Sequence, residues 1–156
     1  MPVRTELIEQ LVRATEEVFE TMVFRTLTTG AAIDGDALRP RANVVGLVGF
    51  GGTVSGLVAL YSTQEAAEEI AASMLGVPPE EVNGEMPDAI GEVTNMIAGS
   101  FRLKLAERGE TLAISIPWVT VGSDFYTKYS SDVQRSMCPF RMGDREICVE
   151  LILTRN

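Results

Sequence analysis

Ile147, Val149, Leu151 and Leu153 occupy every second position near the end of the chain. That alternation belongs to a strand with one buried face, and such a face needs an apolar layer to cover it. Residues 43–62, NVVGLVGFGGTVSGLVALYS, add two β-branched-rich runs, 43–50 and 53–61, on either side of Gly51-Gly52. Two glycines tolerate the positive φ angles of a tight turn, so the segment is expected to be a hairpin. From residue 111 onward three strand-like stretches follow: TLAISIPWVTVG, DFYTKYSSDVQRSMCPFRM and REICVELILTRN, with Gly143-Asp144 as the turn between the last two.

The covering layer is legible in three other segments. Residues 5–24 place Leu7, Leu11, Ala14, Val18 and Met22 three or four apart, with Glu9, Arg13, Glu16, Glu17 and Glu20 elsewhere, which predicts an amphipathic helix. Ser62-Thr63-Gln64-Glu65 has the spacing of a capping box and opens a short helix that ends at Gly76. After VPPEEVNGEMP a longer helix runs to about Arg108, with Gly109 as its stop. Residues 26–42 mix Thr, Gly, Asp and Pro and are expected to form a loop or a weak edge strand. Helices and antiparallel strands in separate runs indicate an α+β fold, an antiparallel-rich β-sheet with helices packed against it. At 156 residues the chain is expected to form a single domain, 1–156.

Composition narrows the chemistry. There is no histidine, which removes Ser-His-Asp and Cys-His catalysis and histidine-ligated zinc. Cys138 and Cys148 both lie in apolar surroundings and are expected to be buried, reduced thiols. A net charge of −9 argues against a nucleic-acid partner, whose phosphates call for Lys and Arg. No apolar run approaches the roughly 20 residues of a membrane span, and MPVRTELIEQ has no export signal, so a cytoplasmic protein without a membrane partner is expected.

Within the third helix, at 100° per residue, Ile90, Val93, Ile97 and Phe101 fall on one side. Asp88, Glu92, Asn95 and Gly99 fall on the other, within about 60° of one another. Asn and Gly are poor helix formers, and Gly costs roughly 1 kcal/mol relative to Ala. A stripe built from them suits either an ordinary wet surface or close approach of a partner.

Asp88-x3-Glu92-x2-Asn95, followed after 21 residues by Pro117, resembles the signature of the CheC/CheX/FliY family of chemotaxis phosphatases. The segment GEVTNMIAGSFRLKL, running on to Ser115-Ile116-Pro117 before Trp118, is similar to that of the CheX-like branch. CheC-type relatives carry the motif twice. Here the positions three beyond Glu16 and Glu17 are Phe19 and Glu20, so one site remains. The resemblance implies a CheC-like domain that forms a homodimer and hydrolyses the aspartyl-phosphate of a phosphorylated CheY-like response regulator. It implies Glu92 and Asn95 as catalytic residues, with Asp88 and Gly99 at the partner surface. In that reading Asn95 orients the attacking water and Glu92 pairs with the receiver's lysine. No cofactor is expected on this chain, and Mg²⁺ is expected on the partner. Two alternatives stay open: a non-catalytic module that binds a response regulator or flagellar-switch component, and a structural dimer with an accidental motif. Trp118 is expected to pack beside Pro117, and Met22, Met74 and Met96 to be packing residues. The Phe125–Tyr129 stretch is expected to be a strand with an exposed edge.

Overall fold

Leu7, Leu11, Ala14 and Val18 are all buried, and they turn one face of helix α1 (Thr5–Val18) onto a sheet. A π-helical turn, Phe19–Val23, continues α1 and ends at Phe24 in the left-handed conformation. The structure, a computed structural model, describes residues 4–35, 42–125 and 132–154. Residues 126–131, which hold most of the Phe125–Tyr129 stretch, lie outside them.

Among the described residues, eight antiparallel strands form one sheet. They are β1 (Thr28–Thr29), β2 (Ile33–Asp34), β3 (Ala42–Gly52), β4 (Gly56–Ser62), β5 (Leu112–Ile114), β6 (Trp118–Phe125), β7 (Val133–Met142) and β8 (Arg145–Thr154). The order is β1-β7-β8-β4-β3-β5, with β2 beside β7 and β6 beside β3. Helix α2 (Gln64–Leu75) follows β4, and helix α3 (Met86–Ala106) precedes β5. All three helices join the larger core, into which the sheet turns Val44, Val48, Val58, Leu60, Ile147, Val149 and Leu151. The opposite face carries a smaller cluster built from strands alone, around Val45, Tyr61, Met137, Cys148 and Ile152. The helix-on-sheet α+β architecture expected from the periodicities is thus observed, with α3 central between α1 and α2.

Five local expectations need correction. Gly51 and Gly52 are not the hairpin turn: they remain in β3 and pair with Ala113 and Leu112, and the turn is Thr53–Ser55. A Cβ on Gly52 would stand 2.0 Å from the Thr111 carbonyl oxygen, so the glycine admits β5. The expected strand over 111–122 is broken into β5 and β6, both on β3. Pro117, which has no N–H to give a ladder, sits in the break. Ser115 closes that corner: its N–H donates to the Gly49 carbonyl (2.8 Å), and its Oγ accepts from the Gly49 N–H (2.9 Å).

The cap of α2 is Thr63, one residue later than the capping-box spacing places it. Its hydroxyl accepts from the Ala66 N–H at 3.2 Å, while Ser62 points into the protein. Trp118 is 60% exposed and not packed, because it faces away from the helices while its neighbour Val119 faces α3. Met22, too, is exposed, whereas Met74 and Met96 pack against the core.

Gly76 (φ 70°) ends α2 as expected, and Gly143-Asp144 joins Met142 to Arg145. Both cysteines are buried, and they belong to opposite faces of the sheet. No described helix is long and apolar enough to cross a membrane.

Candidate functional site on helix α3

Helix α3 starts with Pro87 in its first turn, where a missing N–H costs nothing. Ile90, Val93, Ile97, Phe101 and Leu105 are buried, and the Phe101 ring meets Phe50 of β3 edge-to-face at 5.8 Å. That anchoring fixes which side of the helix looks outward. Asp88, Glu92 and Asn95 are exposed, and Gly99 is half-exposed with no atom within 4 Å of where its Cβ would be. The four positions singled out from the sequence therefore lie on one outward stripe, as the periodicity requires.

Among the described residues neither Glu92, Asn95 nor Asp88 has a hydrogen-bond or ion-pair partner through its side chain. Several carboxylates elsewhere are paired: Glu110 with Arg4, Glu69 with Arg25 and Arg145, Glu146 with Arg141. Glu92 and Asn95 are one helical turn apart, about 4.5 Å along the axis. They present a carboxylate and an amide side by side, free to engage groups from another molecule.

The stripe lies on the exposed face of α3. A groove of about 780 Å³ lies elsewhere, against β7 and β8, lined by Tyr61, Thr63, Pro139, Phe140 and Arg141 among others. A carboxylate–amide pair exposed on a helix face suits a protein surface better than a small free substrate, which calls for concavity. No group of three or more His, Cys, Asp and Glu side chains among the described residues is placed to hold a metal ion.

Helix α1 has no second copy of the arrangement. Glu16 accepts a hydrogen bond from the Thr29 hydroxyl at 2.7 Å, Glu17 pairs with Lys104 of α3, and Phe19 is fully buried. Both glutamates hold structure together, and the position that would need an asparagine fills the core.

Sequence reasoning missed how α3 is seated. Thr94 is fully buried between Glu92 and Asn95, and its side chain lies over Gly46 of β3. The one signal available was a glycine in the middle of a β-branched strand, which marks close approach of another element.

The family model for the chemotaxis phosphatase CheX matches residues 44–141, from β3 through α3 into β7. The chain belongs to the CheX family. The CheY-P phosphatase CheX of Thermotoga maritima is 31% identical over 87 residues, which span 55% of this chain and 56% of that relative. The crystal structure of the chemotaxis protein CheX from Desulfovibrio desulfuricans has a TM-score of 0.86 and 28% identity, covering 95% of this chain and 99% of that one. CheX of Borrelia burgdorferi, solved as a complex of CheX, CheY, BeF3 and Mg²⁺, shares the fold at a TM-score of 0.78 and 23% identity, covering 97% of this chain and all of that one. The matched region of this CheX-family chain contains Glu92, Asn95 and Pro117.

Proposed function

We propose that this chain is a response-regulator phosphatase. It hydrolyses the aspartyl-phosphate of a phosphorylated CheY-like receiver, in chemotaxis or a related two-component circuit of the cytoplasm. The observation that carries the reading is the outward, unpartnered Glu92–Asn95 turn on α3 in a chain of the CheX family.

The reaction breaks the bond between phosphorus and the receiver's aspartate oxygen and forms one to a water oxygen, releasing phosphate and the carboxylate. Such a step depends on positioning and electrostatics more than on covalent help from the protein. Asn95, both donor and acceptor, holds the water in line with the leaving oxygen through its amide. Glu92 pairs with the receiver's lysine and sets the register of α3 across the phosphorylated site. Gly99 leaves room for the partner's backbone, and Asp88 meets its rim. Mg²⁺ supplies charge neutralisation at the phosphoryl group and belongs to the receiver, in keeping with the composition of the Borrelia complex. Two copies of the chain form a homodimer in this reading, each with one site.

The test separates the two roles in steady-state assays on a phosphorylated, Mg²⁺-loaded CheY-type receiver. Asn95→Ala is expected to lose turnover and still bind the receiver, whereas Glu92→Ala raises KM. Binding without turnover by the wild type would assign the chain to the non-catalytic adaptor class instead.

A further inference from the structure

The side chains that would do the chemistry reach outward, yet what determines their reach lies beneath them. On β3, Gly46 faces α3. A Cβ added there would stand 2.1 Å from Thr94 Oγ1, 3.1 Å from Thr94 Cβ and 3.3 Å from Ile90 Cγ2. The threonine thus occupies the space that a side chain on the strand would take. Its hydroxyl makes no demand on the sheet, because it donates to the Ile90 carbonyl oxygen of its own helix at 2.7 Å.

One strand over, Val119 of β6 rises against the helix. A Cβ on Gly91 would come within 3.2 Å of Val119 Cγ2 and 3.9 Å of Pro117 Cγ. Gly91 and Thr94 are the residues immediately before Glu92 and Asn95. Each outward functional residue is therefore preceded by one that sinks the helix backbone onto the sheet.

We infer that Gly46, Gly91 and Thr94 are positioning residues. They seat the turn of α3 that carries Glu92 and Asn95, and through it set where those two side chains lie relative to the docking positions Asp88 and Gly99, and so relative to the bound receiver's phosphoryl group. This rests on the phosphatase reading above and adds to it a geometric cause for reactivity in residues that never touch the partner. A methyl group on Gly46 displaces Thr94 by about 1.3 Å if ordinary contact is to be restored. Misplacement by about 1 Å in a site that works by alignment can cost on the order of 100-fold in rate. The docking surface itself keeps its side chains, so KM changes little.

The experiment measures kcat and KM for phosphate release from an acetyl-phosphate-charged, Mg²⁺-loaded CheY-type receiver that the wild type dephosphorylates. Gly46→Ala is expected to lower kcat by roughly 10- to 100-fold while KM stays within about threefold. Adding Thr94→Ala to Gly46→Ala removes the clashing hydroxyl and leaves only the milder 3.1 Å approach to Cβ, so most of the lost kcat should return. Because relief of the clash also restores stability, kcat is compared at a temperature where circular dichroism shows every variant fully folded. A folded Gly46→Ala with wild-type kcat, a change confined to KM, or a double variant no faster than Gly46→Ala overturns the inference.

If circular dichroism shows Gly46→Ala unfolded, Gly91→Ala takes its place. Its contact is with a side-chain methyl that can shift, so kcat is expected to fall about tenfold with KM preserved. A folded Gly91→Ala with wild-type kcat overturns the inference. Failure of the functional reading shows separately: a wild type inert on every receiver, or an Asn95→Ala as fast as the wild type, overturns that reading and the seating argument with it.

Discussion

Glu150 is fully buried on the helix-free face of the sheet, an expensive place for a carboxylate. Two donors hold it. Tyr61 Oη donates to Oε1 at 2.7 Å, and Arg135 Nε donates to Oε2 at 2.5 Å from a side chain only 13% exposed. Arg135→Met keeps the apolar stem and removes the cation, leaving a buried charge without its counter-ion. Breaking one partner of such a pair costs about 3–5 kcal/mol. In a chain of this size each kcal/mol is worth roughly 2–4 °C in Tm, so the expected loss is about 6–20 °C. Adding Glu150→Gln removes the charge but keeps an acceptor for Tyr61, and the double variant should recover at least about half of the loss, since much of it is the cost of the stranded charge. Urea unfolding followed by circular dichroism gives the free energies. A cost below about 1 kcal/mol for Arg135→Met, or strict additivity in the double variant, would refute the argument.

Three further outcomes follow from local contacts. Thr63→Ala should cost about 0.5–2 kcal/mol in urea unfolding by loss of the α2 cap, whereas Ser62→Ala, whose buried Oγ has no partner among the described residues, should cost less. Burial pushes the Cys138 thiol up to about 12 and Cys148 up to about 11, from an ordinary 9.0. Both should resist a thiol reagent at pH 8 until the protein unfolds. Their contribution to stability is complete below pH 9 and is lost as pH rises through the shifted values, so unfolding free energy measured between pH 8 and 11 should decline. Trp118, the single tryptophan, should show a long-wavelength emission that acrylamide quenches strongly; a blue-shifted, protected indole would show that face covered by a second copy.

Period counting placed Ile90, Val93, Ile97 and Phe101 inward and Asp88, Glu92 and Asn95 outward, because a long helix on a sheet leaves its two faces no choice. The strands at 43–62 and 145–154 were legible for the same reason. Where side chains gave way to backbone proximity, the sequence misled. Gly51-Gly52 looks like a turn and is a crossing point for β5, and the run before Trp118 looks continuous although Pro117 divides it. Glu150 carries no sign of its burial, since its partners come from strands 15 and 89 residues away. The seat of α3 on Gly46 is likewise a contact between segments far apart in sequence. The spacing of Glu92 and Asn95 became informative only through its resemblance to a family; on its own it is what many wet helix faces carry.

The most direct test of the account is the rate of phosphate loss from a phosphorylated, Mg²⁺-loaded CheY-type receiver, alone, with wild type and with Asn95→Ala. Acceleration by the wild type, with the Asn95→Ala mixture decaying at the receiver's own rate, is the predicted result. Equal acceleration by both proteins would contradict the role given to Asn95, and no acceleration by the wild type would contradict the phosphatase itself.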